Sequence, residues 1–216
     1  NESQRLLKTV EKDSPFFKAC SFRCVYKETK TSFLESSESV TNFPYFMTEA
    51  AYSGKIEPRN FLVVDEAHNV ESELSKFVEV VVSERFAKQT LKLSWPRKST
   101  QFQAYKWIKD VYFPKAKSQL DHFEKTLKQT GLKSRLKDFM SISRQYEMLS
   151  GHVEKISMFL AVYNPQNWVM ENVKAFGRSM RKFSFRAIDI SPFAQKYLFR
   201  LGNRILMMSA TVLDID

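Results

Sequence analysis

The spacing of apolar positions changes along this chain, and each change predicts a different kind of element. Phe61-Leu62-Val63-Val64 is a short continuous apolar run rich in β-branched residues, the pattern of a strand covered on both faces. Arg204-Ile205-Leu206-Met207-Met208 predicts a second buried strand. Phe77 to Val82 carries a strong β signal after a helix expected over about 70–77, and Trp168-Val169-Met170 and Phe183 to Ile190 read as further strands. Helices are expected over Thr29–Ser36 and Tyr45–Tyr52, the second entered through a turn at Asn42 and Pro44. Ser191 and Pro192 open a later helix as cap and first-turn proline, and that helix ends near Gly202.

The middle of the chain has a different period. Phe102, Tyr105, Ile108 and Val111, then Leu120, Phe123 and Leu127, recur at helical spacing on either side of Pro114, which predicts a helix kinked or broken there. From Ile142 through Tyr146, Leu149, Val153, Ile156, Leu160 and Tyr163 the apolar steps alternate between fours and threes, a heptad seam. Burying such a seam calls for a pair or small bundle of long antiparallel helices, turned at Thr130-Gly131 and ended by Asn164-Pro165.

Charge follows the same division. Residues 84–185 hold 20 Lys plus Arg against 8 Asp plus Glu, a balance of +12, while the remainder holds 14 against 16. A regional positive excess of this kind faces phosphate, an acidic partner or anionic lipid, and Lys125, Lys128, Lys133 and Lys137 are the candidate backbone contacts. With 43% hydrophobic and 27% charged residues, the chain of 216 has the composition of one or two packed domains. No apolar run approaches a membrane span and the first residues lack a signal-peptide layout, so an intracellular protein of cytoplasm or nucleus, without membrane attachment, is the expectation. Two cysteines, Cys20 and Cys24, exclude a disulfide scaffold and are enough for two corners of a zinc or iron–sulfur site.

The chemistry sits where the first apolar run ends. Asp65 and Glu66 follow it directly, at the carboxyl end of a strand, where open α/β sheets place their ligands. Asp65 is a hard oxygen donor suited to Mg²⁺, and Glu66 beside it is placed to orient or deprotonate a water. The plain alternative makes Asp65 a cap and Glu66 a dipole partner for the helix starting near Asn69.

Asp65-Glu66-Ala67-His68 after one apolar strand and Ser209-Ala210-Thr211 after another resemble motifs II and III of superfamily 2 helicases. Their wide separation, with the basic heptad segment between them, is similar to the XPD/DinG branch, which carries a helical insertion there, the Arch domain of XPD. Val40-Thr41-Asn42-Phe43 and Ile188-Asp189 resemble flanking stretches of the same branch.

The resemblance implies an α/β fold, a partial RecA-like parallel sheet with a mainly helical Arch-like insertion. It divides the chain into 1–83 (motor domain, with a possible iron–sulfur region at 1–30), 84–185 (insertion) and 186–216 (return to the motor domain). It implies an ATP-dependent 5′ to 3′ DNA helicase using ATP and Mg²⁺ on single-stranded or forked DNA, with a protein partner for the helical insertion as a further possibility. Asp65 then binds Mg²⁺, Glu66 positions the hydrolytic water, and His68, Ser209 and Thr211 couple nucleotide state to movement. Cys24-Val25-Tyr26 is similar to the last cysteine position of a [4Fe-4S] site, with its proline lost, and Cys20 matches more weakly.

Departures are equally plain. No Gly-rich loop ending in Lys-Thr or Lys-Ser occurs, and no second motor domain follows motif III. The chain is therefore expected to be a fragment that hydrolyses no ATP alone. The alternative is a non-catalytic nucleic-acid-binding or protein-docking module derived from a helicase.

Overall fold

The computed structural model describes residue 18 and residues 24–96, 99–130, 136–173 and 180–211, without the side chains of 52–53, 129–130 and 136–140. In chain order the helices and strands are α1 (Val25–Glu35), α2 (Phe43–Thr48), β1 (Arg59–Val64), α3 (Val70–Val78), β2 (Val80–Ser83), α4 (Glu84–Gln89), α5 (Gln101–Trp107), α6 (Phe113–Thr130), α7 (Leu136–Val162), β3 (Trp168–Val173), β4 (Lys182–Ala187), α8 (Ser191–Tyr197) and β5 (Gly202–Met207). The fold is mixed α/β with two separate sheets: β1 and β5 form a parallel pair, and β2, β4 and β3 form an antiparallel sheet with β4 in the centre. Among the described residues no helix is long and apolar enough to cross a membrane.

Two compact units emerge. One takes in 1–30, 80–165 and 170–184, the other 31–79, 166–169 and 185–216.

The first unit is built on helices. Thr100 caps α5 by accepting from the Gln103 main chain, while the Gln103 side chain accepts in return from Thr100, a reciprocal capping box. Ahead of Pro114 the chain widens into a π-helical turn, Ile108–Tyr112, and α6 resumes at Phe113. The break predicted at the proline thus falls in the turn before it, where the missing amide and the ring's bulk disrupt the ladder. α6 and α7 lie side by side in opposite senses: Tyr105 stacks on Tyr163 at 3.9 Å, Tyr112 reaches His152, and Phe123 shares a cleft with Gln145.

In α7 the heptad seam is buried at Leu149, Val153 and Ile156 and then passes to Phe159, a residue outside the predicted series. Trp95 stacks on Phe183 at 4.4 Å and packs edge-on to Trp107, so aromatic rings fill the core.

Two polar devices tie the same unit together. Glu84, 8% exposed, accepts from Arg181 Nε and Nη2, both at 3.0 Å, and pairs with Lys88 at 2.7 Å. The Arg181 guanidinium first, then Lys88, holds the Glu84 carboxyl down at about 2. His152 Nε2 lies 2.8 Å from the Tyr112 hydroxyl, under the ring of Phe86. Burial first, then the charge of Lys155, pushes the imidazole down to about 4, and the direction of its bond with the tyrosine hydroxyl follows the tautomer of the neutral ring. Burial in turn raises the Tyr112 hydroxyl well above its usual range.

The second unit carries the parallel pair. Asn42 caps α2 by accepting from Tyr45 at 2.9 Å, and Pro44 occupies its first turn. Phe77 and Tyr197 meet edge to face, as do Trp168 and Phe193, packing α3 and the start of β3 onto α8. Gly202 starts β5 opposite Arg59, and a Cβ there would lie 2.6 Å from that of Leu62, so the strands close over a glycine.

Three expectations need correction here. Phe61–Val64 and Arg204–Met208 are strands but not fully buried: Phe61 and Val63 are 55% and 51% exposed, and Leu206 and Met208 beside them are exposed too. In a parallel pair these four share one face, which is about half exposed, and Ile205 and Met207 on the other face of β5 are exposed as well. The β signal from Phe77 begins only at Val80, because Phe77 and Val78 finish the buried face of α3. Ser191 is the first residue of α8 instead of its cap; Asp189 does that work, accepting from the Ser191 amide at 2.9 Å, and the preceding strand stops at Ala187.

Candidate functional site

The parallel register decides where the two sequence motifs fall. Val64 stands opposite Met207, so the residues after each strand leave the sheet at the same end. Met208 then stitches them: its amide donates to Val64 O at 2.9 Å, and its carbonyl accepts from the Ala67 amide at 2.8 Å. Ser209 is thereby set beside the short 3₁₀ turn Ala67–Asn69.

His68 Nδ1 lies 2.8 Å from Ser209 Oγ and 3.3 Å from Glu66 Oε2. Ser209 Oγ accepts from the Thr211 amide at 3.2 Å and is 3.0 Å from the Thr211 carbonyl. Five of the predicted residues, Asp65, Glu66, His68, Ser209 and Thr211, are brought to one place although His68 and Ser209 are 141 positions apart. The direction of the His68–Ser209 bond follows the imidazole tautomer; toward Glu66 the ring nitrogen can only donate.

Glu66 has a left-handed backbone, φ 51° and ψ 45°. That conformation costs a side-chain-bearing residue about 1–2 kcal/mol, and such departures cluster where neighbouring structure holds a functional group in place. Here the Glu66 amide donates to Asp65 Oδ1 at 2.8 Å, and Met208 fixes the next residue. The turn leaves both carboxylates exposed at the strand end. Asp65 therefore caps no helix: α3 starts after Asn69, which makes no side-chain cap bond.

The donor set suits one kind of metal. Among the described residues no three His, Cys, Asp or Glu side chains gather around a common point. Among these residues a metal held wholly by protein does not fit. Mg²⁺ does, because it keeps several waters and takes one or two carboxylates alongside phosphate oxygens. Asp65 has one oxygen engaged by its neighbour's amide and would be the protein ligand.

The chain matches no protein-family model and no curated protein.

Lys128 is tied to Glu124 one turn earlier at 2.6 Å, while Lys125 is exposed on α6. Lys133 and the Lys137 side chain lie outside the described residues, as does Cys20. Cys24 is a free, half-buried thiol just ahead of α1. Sequence reasoning missed Met208, whose contribution is entirely main chain, and the left-handed turn at Glu66, which no residue type announced.

Proposed function

We propose that this chain is the acidic half of an ATP-hydrolysing site in an intracellular DNA translocase, a RecA-like motor of the XPD/DinG kind, with the basic helical segment contacting single-stranded DNA. The carrying observation is the His68–Ser209 contact, which joins the two motifs at the carboxyl end of a parallel strand pair. Asp65 presents a carboxylate for Mg²⁺·ATP, and Glu66 a proton acceptor for water, held at a fixed angle by the left-handed turn. When bound, Mg²⁺ neutralises phosphate charge. A shift of Glu66 would be felt by His68 and passed to Ser209 and Thr211 through the bonds already described.

The test is a titration of the chain with Mn²⁺ and ATP, followed by paramagnetic broadening of amide resonances. Broadening is expected first at Val64–His68 and Ser209, and Asp65→Asn should remove it. Broadening spread evenly over exposed carboxylates would sink the proposal. Retained binding of single-stranded DNA in that case would favour the second reading, a non-catalytic nucleic-acid module, which draws its support from the exposed lysines of the helical unit.

A further inference from the structure

The outer face of α5 and the turn after it carries an unusual combination. Phe102 is 66% exposed, and among the described residues its ring meets no other ring. Lys106 and Lys109 follow at steps of four and three, so all three share one stripe of the helix. The opposite stripe, Ala104, Ile108 and Tyr112, is fully buried, which fixes the helix rotation and leaves the Phe102 stripe outward. Both lysines are exposed and, among the described residues, neither forms an ion pair, although Asp110 stands one turn beyond Lys106. The capping box at Thr100 and Gln103 pins the start of this helix, so the ring is presented from a rigid element.

An exposed aromatic ring flanked by unpaired cations is the arrangement by which proteins bind single strands without reading sequence: bases stack on the ring and cations follow the phosphates. A double-stranded partner has no free base face to offer. An apolar protein partner would be served by the ring but not by the two unpaired lysines. We infer that Phe102 is a base-stacking platform for single-stranded DNA, with Lys106 and Lys109 on the adjoining phosphates. It rests on the reading that the basic segment faces single-stranded DNA, and it moves the contact from the α6 lysines to α5.

The experiment measures anisotropy of a fluorescein-labelled oligothymidylate with the full chain at several salt concentrations. Phe102→Ala should weaken binding roughly 5- to 150-fold, the range for loss of one stacked base. Phe102→Trp should restore affinity, whereas Phe102→Leu should resemble the alanine variant. Lys106→Glu with Lys109→Glu should flatten the salt slope by about 1.4, or about 0.7 for each phosphate contact on a single strand. Because the ring is on the surface, circular dichroism should show all variants folded. Full affinity in Phe102→Ala, with wild-type binding intact, would overturn the platform but leave the basic segment as the DNA contact. Full affinity in Phe102→Leu would make it a plain apolar contact and overturn stacking. No binding by the unaltered chain would remove the underlying reading itself.

Discussion

The helical unit and the parallel strand pair solve opposite problems. In the first, Tyr112, Ile108, Leu127, Phe159, Phe183 and the α7 seam residues Leu149 and Ile156 are all sealed from solvent. In the second, Phe61 and Val63 on one face of β1 and both faces of β5 stay exposed, and what is fixed is a set of main-chain bonds through Met208 and a strained turn at Glu66. Cohesion in one region comes from apolar area and in the other from direction. A site of exposed carboxylates needs the second kind, because polar groups that must meet a ligand cannot also be buried.

The largest expected consequence follows from the first region. Phe159→Ala removes a ring that is 2% exposed and packed against Tyr105 and Tyr163, and should destabilise the helical unit by about 3–5 kcal/mol. Urea denaturation followed by tryptophan fluorescence reads it directly, since Trp95 and Trp107 lie in the same unit. A loss under about 1 kcal/mol would mean the α5–α7 contact is looser than a close-packed core.

Protonation gives the next effect. His152 is held down at about 4, below the unfolded value near 6.5. Between those values the unfolded chain binds the extra proton, so His152's contribution is complete above about pH 6.5 and is lost as pH falls toward 4. The span corresponds to about 3 kcal/mol. Glu84 has the same sign in a lower window: its contribution is present above about 4.5 and is lost as pH falls toward about 2. Stability of the helical unit should therefore fall in two stages on acidification. His152→Gln should abolish the upper stage alone, and an unchanged slope between pH 6.5 and 4 would show that the imidazole is not the titrating group.

How much of this was legible beforehand divides along the same line. Periodicity located α7 and the break before α6, because burial on one stripe leaves a mark every three or four residues. It also located β1, β5 and the acid pair, because those residues are contiguous. It misjudged the exposure of β1 and β5, since a short apolar run states what a strand prefers and is silent on what is stacked over it. The Glu84–Arg181 pair joins residues 97 positions apart and leaves no local signal, as does the Met208 bridge. Phe102 fits the helical spacing of 102, 105 and 108, yet the structure turns the stripe so that Ala104, Ile108 and Tyr112 face inward.

The smallest expected effect is the most direct probe of the open face. Val63 is half exposed beside Leu206, so Val63→Thr swaps a methyl for a hydroxyl that water can satisfy. Stability should change by less than about 0.5 kcal/mol, as for surface substitutions generally. Thr keeps the β-branched shape, so strand propensity is preserved and solvation is the only variable altered. A covered Val63 would behave differently, because the hydroxyl would lose water without gaining a partner, at a cost of about 1–3 kcal/mol. A denaturation midpoint that shifts by that larger amount would mean the face is closed in solution, and Phe61, on the same face, should then be protected as well.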